Sequence, residues 1–192
     1  MAELIFKDLS FEKDKDKVKV NFLKIFYFYL DEDSLRKIGD FQINRNSIIF
    51  EKLSENNARK KFEFLLYNAF KSLKNRLNSK TTYYILQSSG IPLIGTTSFG
   101  IIDRNSNMIE VRPLTGCNMN CVFCSVDEGL ASKKTTEVVI EEGYLAAEVR
   151  KLVEFKGCEC HIVINSQGEP TMYKPMVALI RDLRAVAAIK TI

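Results

Sequence analysis

Three cysteines fall within eight residues, Cys117, Cys121 and Cys124, in the run Thr115-Gly-Cys-Asn-Met-Asn-Cys-Val-Phe-Cys124. Thiolates are soft ligands that suit iron–sulfur clusters and zinc alike. A [4Fe–4S] cube held by protein alone takes four cysteines, and C-x3-C-x2-C supplies three. One iron then keeps open coordination positions, which suits chemistry on a bound small molecule better than electron storage. A structural zinc would instead be closed by a fourth Cys or His. The remaining candidates are Cys158, Cys160 and His161. They stand at or before the start of the apolar run Cys160–Asn165, which reads as a strand. Six residues at ~3.3 Å each separate the two ends of that strand by roughly 20 Å. The same stretch therefore offers no second cluster: two cysteines cannot hold one, and Cys158 and Cys160 read as ordinary free thiols.

A second motif follows. Gln167-Gly168-Glu169-Pro170 comes about one βα unit after Cys124. The spacing C-x3-C-x-aromatic-C, with Phe123 at the aromatic position, resembles the cluster loop of the radical S-adenosylmethionine (SAM) superfamily. Gln167–Pro170 resembles the Gly-Gly-Glu-Pro element of the same superfamily. The flanking wording, Val-Arg-Pro-Leu-Thr-Gly-Cys before and Ser-Val-Asp-Glu-Gly after, is similar to an archaeal group of Fe–S oxidoreductases. The resemblance implies a [4Fe–4S] cluster on Cys117, Cys121 and Cys124, with SAM chelated to the open iron. It implies reductive cleavage of SAM to methionine and a 5′-deoxyadenosyl radical, an electron donor such as a ferredoxin or flavodoxin, and an unknown substrate. Gly168, through its carbonyl, and Glu169 match the element that binds the methionine amino group, and Phe123 matches a position near the adenine. Asp127 and Glu128 beside the cysteine loop read as solvating carboxylates.

The elements that must position these loops are legible in outline. From Met108 the rhythm is βαβα: a strand over Ile109–Leu114, a helix over Thr136–Phe155 stopped by Gly157, a strand over Cys160–Asn165 and a helix over Pro175–Ile189. The run Lys190–Ile192 falls where a further strand would begin. Continuous apolar strands are typical of buried parallel sheets, and such sheets carry their active sites at strand C-termini. Both motifs directly follow strands. The fold class expected is α/β: an N-terminal α+β module over 1–105, then over 106–192 the first two βα units of a partial TIM-like barrel. Asp103–Asn107, polar and turn-forming, is the expected boundary. Only 68 residues follow Cys124, so the resemblance implies a barrel truncated after its second unit. It implies an N-terminal part of a longer protein, or a second chain that completes the barrel, with poor cluster binding and no SAM turnover by the isolated chain.

In the first module Val18–Tyr29 reads as one strand, and Gln42–Phe50 as another with a turn at Asn44-Arg-Asn46. Thr81–Leu86 and Ile94–Ile102 read as two more. Ala58, Phe62, Leu65, Leu66, Ala69, Leu73 and Leu77 recur at helical spacing behind Ser54, a suitable N-cap. Residues 1–105 carry 18 Lys+Arg against 13 Asp+Glu, and the rest 10 against 11. Glu55–Lys80 alone carries 7 against 2. A basic helix of this kind is either a solvated face or a nucleic-acid contact, which keeps an RNA-binding protein open beside the enzyme, as does a structural metal-binding protein without catalysis. No run of ~18 uncharged apolar residues indicates a membrane span. Five cysteines, an odd number with three at ligand spacing, point to a reducing cytoplasm rather than a disulfide framework.

Overall fold

The computed structural model describes residues 1–192. It divides into two compact units, Met1–Thr82 and Tyr83–Ile192.

The first unit is mainly antiparallel. Strands β1 (Ala2–Ile5), β2 (Leu9–Asp14), β3 (Lys17–Phe22) and β4 (Phe26–Asp31) lead into a short helix α1 (Glu32–Arg36). Strands β5 (Phe41–Ile43) and β6 (Ser47–Phe50), helix α2 (Glu55–Ala69) and a two-residue strand β7 (Lys74–Asn75) follow. Strand β8 (Thr81–Ile85) crosses the unit boundary. Val18–Tyr29 is thus a hairpin of two strands, with Leu23 and Lys24 at positive φ (50° and 65°) making the reversal. The β5–β6 hairpin turns at residues 44–46, as Asn44-Arg-Asn46 suggests. Helix α2 begins after Ser54, whose side chain makes no capping bond. It docks through buried Ala58 and Phe62, and the Phe62 ring lies 5.7–6.2 Å from the rings of Phe6, Phe11 and Phe50. Offset and edge-on aromatic contacts of this kind stabilise a small core beyond the area they bury.

In the second unit, strands β9 (Gly100–Asp103), β10 (Met108–Arg112), β12 (Cys160–Ile164) and β13 (Ile189–Thr191) form one sheet in the order β13-β12-β10-β9. Strands β10, β12 and β13 run parallel, and β9 is antiparallel to β10. Helix α3 (Glu142–Lys156) connects β10 to β12 after strand β11 (Thr136–Ile140), and α4 (Met176–Arg184) connects β12 to β13. Thr136–Ile140, expected within a helix, is therefore a strand: Thr-Glu-Val-Val-Ile is β-branched at four of five positions, and backbone bonds from the β10 exit recruit it. Helix α3 ends as expected at Gly157, in the left-handed conformation. Residues 104–107 form the tip of the β9–β10 hairpin inside this unit, where a boundary was expected. Of Ile94–Ile102, only the last three residues, within β9, belong to a strand, apart from an isolated bridge of Ile94 to Ile101.

Parallel register pairs Ile109 with Ile162 and Glu110 with Val163. One face of the sheet is therefore apolar, with Ile109, Val111, Cys160 and Ile162 all buried. Buried Leu145, Val149, Leu152, Leu179 and Leu183 of α3 and α4 supply the facing layer. No helix of the chain is long and apolar enough to cross a membrane.

A carboxyl pair lies between the two helices. Glu142 has one buried oxygen without a hydrogen-bond partner. Burial and the neighbouring Asp182 push its pKa above the usual carboxylate value. The folded state therefore holds this proton after the unfolded chain has released it. Its contribution to stability declines as pH rises from the ordinary carboxylate range through the raised value. Glu142→Gln is expected to raise the Tm at neutral pH, with the gain disappearing near about pH 4, below both pKa values. Thermal melts at the two pH values check this.

Candidate metal and cofactor site

The chain leaves β10 through a buried segment, Pro113 to Cys117. Strand β11 holds it. The Thr115 amide donates to the Val138 carbonyl (3.0 Å), and the Val138 amide donates to Thr115 Oγ1 (3.0 Å). The Ile140 amide donates to the Pro113 carbonyl (2.9 Å). Cys117 is thereby fixed at the C-terminal end of the sheet, 8% exposed, and its sulfur accepts from the Met119 amide at 3.4 Å. Cys121 and Cys124 lie farther out and are exposed, joined by a turn in which the Cys124 amide donates to the Cys121 carbonyl (3.1 Å). The loop closes on itself at Met119, whose carbonyl accepts from the Leu130 amide (3.0 Å). A Cβ on Gly129 would stand 2.4 Å from that carbonyl oxygen. Glu128 is not a solvating group: it is buried and paired with Lys134 at 2.5 Å. Asp127 is exposed, at positive φ.

The second motif leaves the neighbouring strand on the same edge. The Asn165 amide continues the parallel ladder to the Val111 carbonyl (2.9 Å). The Gly168 amide then donates to Ser166 Oγ (2.7 Å), and the Glu169 amide donates to the Gly116 carbonyl (3.0 Å). A Cβ on Gly168 would stand 2.0 Å from the Gly116 oxygen, so the two loops touch backbone to backbone. Glu169 Oε1 accepts from the Thr171 amide (3.0 Å) and hydroxyl (2.6 Å), and these bonds lower its pKa. The carboxylate is ionised at neutral pH, and neither Oε2 nor the Gly168 carbonyl receives a donor from the chain. Below the loop, the buried Tyr173 hydroxyl donates to the Ile140 carbonyl (2.8 Å), and burial raises its pKa strongly. The adjacency of Cys117, Gly168 and Glu169 is thus produced by strand order, one glycine and one interloop hydrogen bond.

Other residues stand apart. Phe123 is 85% exposed and packs into no core. Cys158 and Cys160 lie at the opposite end of β12, and burial together with Cys158 pushes the Cys160 thiol pKa up. His161 Nδ1 lies 2.8 Å from Thr191 Oγ1, a link between β12 and β13. No three Cys, His, Asp or Glu side chains are gathered closely enough to hold a metal ion. The donor set still fits an iron–sulfur cluster: three cysteines on one loop, the outer two on a turn free of core packing. Metal sites commonly assemble only as the metal binds.

The sequence pattern did not single out the polar network on the sheet's other face. Glu110 accepts from Arg112 Nε (2.8 Å), Arg104 (3.2 Å) and Asn165 (3.0 Å). Burial opposes its ionisation, but these three donors outweigh it and lower the pKa. They line a cavity of about 300 Å³ with Met108 and Val163. Strand alternation was the available signal, since it places Glu110 and Arg112 on one face of β10.

Comparison with known proteins fits this geometry. Over 124 residues the chain is 41% identical to an uncharacterized protein of Methanocaldococcus jannaschii, covering 62% of this chain and 28% of that protein. It is 24% identical over 194 residues to the GTPase Obg of Brachyspira hyodysenteriae, covering 98% of this chain and 25% of that protein. The chain spans about a quarter of the length of these curated relatives. The phosphate-binding sequence G-x4-G-K-[ST] is absent: Gly90 and Gly95 have the spacing, but Thr96 stands where Lys is required. No solved structure matches. Residues 111–192, which include both loops, match the Radical SAM superfamily. That superfamily implies an iron–sulfur cluster, SAM and a reductant. The match covers less than half of the chain and takes in the cysteine loop and Gln167–Pro170 together.

Proposed function

We propose that this chain carries the cluster-binding and SAM-binding part of a radical SAM oxidoreductase. Cys117, Cys121 and Cys124 would hold a [4Fe–4S] cluster. Bound there, the cluster supplies a coordination site for SAM and the electron for its reductive cleavage. Gly168 and Glu169 would hold the methionine end, and Phe123 would approach the adenine as the loop folds around the cofactor. A ferredoxin or flavodoxin would deliver the electron, and residues 106–192 would form the first two βα units of a TIM-like barrel. The observation that carries the reading is the contact of Gly168 and Glu169 with Gly116, the residue before the first cysteine.

The chain's own contribution is placement. Thr171 orients the Glu169 carboxylate and keeps it ionised. One carboxylate oxygen and the Gly168 carbonyl then face a cationic amino group with acceptors only. The β11 clamp on Thr115 holds the first cysteine against that pair.

Glu169→Gln tests the assignment. The neutral amide keeps the shape and loses the charge, so SAM affinity of the reconstituted chain is expected to fall at least tenfold, about 1.4 kcal/mol or more. Iron content should not change. Equilibrium binding of SAM by anaerobic calorimetry reads it. Unchanged affinity would remove Glu169 from the site.

A further inference from the structure

The N-terminal unit carries a surface that the radical SAM reading does not use. Helix α2 buries Ala58 and Phe62. At 100° per residue, the opposite side presents Lys60, Phe64, Tyr67 and Lys71, spaced i, i+4, i+7 and i+11, the last just past the helix end. Phe64 is 71% exposed and Tyr67 70%. Two large exposed rings three residues apart on a solvent-facing stripe are not core, and core packing gives no reason for them. Around them the cations are unspent. Arg59 pairs with Glu55 at 3.2 Å, but Lys37, Lys60, Lys61 and Lys71 pair with no carboxylate. The Lys71 ammonium sits 5.4 Å from the centre of the Tyr67 ring. Lys37, Lys60, Lys61 and Phe64 also line an open cleft of about 510 Å³ with Ile38 and Leu65.

We propose that the outer face of α2 is a docking surface for single-stranded nucleic acid, with Phe64 and Tyr67 as base-stacking platforms and Lys37, Lys60, Lys61 and Lys71 as phosphate contacts. The chemistry selects this occupant. Exposed rings stack on any unpaired base, and flanking cations track the backbone. A duplex hides its base faces and leaves the rings without partners. An anionic membrane would call for a continuous apolar face, whereas Phe64 and Tyr67 stand among the exposed polar residues Lys60, Lys61, Glu63, Asn68 and Lys71, and Leu65 and Leu66 are not among the exposed residues of α2.

The test uses the full chain and a fluorescent oligouridylate about twelve nucleotides long, read by anisotropy over a salt series. Binding is expected to weaken with salt with a log–log slope near −2 to −3, as about four phosphate contacts to a single strand give. Phe64→Ala/Tyr67→Ala should weaken binding at least tenfold at fixed salt and leave the slope unchanged. Lys60→Gln/Lys61→Gln/Lys71→Gln should flatten the slope. All five side chains lie outside the core, and an unchanged Tm confirms that each variant is folded. Equal affinity of the aromatic double variant overturns the proposal. So does a preference for the duplex form of the same length, and so does binding to phosphatidylserine vesicles without binding to the oligonucleotide.

Discussion

Replacing Cys117, Cys121 and Cys124 together with alanine is expected to abolish iron uptake. After anaerobic reconstitution with iron and sulfide, the unaltered chain should retain iron, up to about four per molecule, and the triple variant almost none, with loss of the brown visible absorption. Cys158→Ala/Cys160→Ala should retain iron in full. The contrast is steep because the two cysteine sets occupy opposite ends of the parallel sheet. Cys117 lies beyond the C-terminal end of β10, whereas Cys160 opens β12 and is sealed in the core with its thiol protonated. Elemental analysis of the same samples separates the alternatives. Zinc in place of iron, or iron loss on removing Cys158 and Cys160, would overturn the assignment. Folding is controlled by Cys121→Ala/Cys124→Ala: Cys117 is buried, but these two are exposed, so the double variant leaves the core untouched and should lose the iron as well.

Gly168→Ala should be strongly damaging to the second unit. The added methyl would stand 2.0 Å from the Gly116 oxygen, 2.4 Å from its carbon and 2.8 Å from the Thr115 oxygen. All three are backbone atoms, so no side chain can swing aside. The loops must part, and the Glu169-to-Gly116 hydrogen bond goes with them. A loss of about 2–4 kcal/mol is expected, together with loss of SAM binding. Gly143→Ala makes the opposite case. A Cβ there meets nothing within 4 Å, and the residue sits in the first turn of α3. Alanine lowers the backbone entropy of the unfolded chain and should stabilise by about 0.5–1 kcal/mol. Denaturant melts of both variants decide the pair.

The candidate site was legible in the sequence as two motifs at strand ends. Their adjacency was a condition that the parallel β10–β12 register satisfies. Cys160–Ile164 was readable because a five-residue apolar run bounded by polar residues has few other uses in an α/β chain. The Leu23–Lys24 reversal was not, since neither residue is a turn former and the pairing of β3 with β4 imposes their positive φ. Val139 and Ile140 fit a helical stripe as well as a strand, and the bonds to Pro113 and Thr115 decide for the strand. Asp103–Asn107 shows a third ambiguity: Asn and Asp serve a linker and a tight hairpin equally well. Glu128 was misread because a carboxylate in a polar loop carries no sign of its lysine partner six residues on.

The two margins of the parallel sheet are unlike. Beside β9, the Ile101 amide is already bonded to the Leu93 carbonyl at 2.7 Å, and Ile94 bridges to Ile101. Beside β13 no strand lies outward. The sheet is therefore finished on one flank and able to accept growth on the other. A strand that extends it, whatever polypeptide supplies it, must lie against Ile189–Thr191. Lys190, paired with Glu159 at 3.0 Å, puts charge at that margin, a common guard against indiscriminate edge pairing.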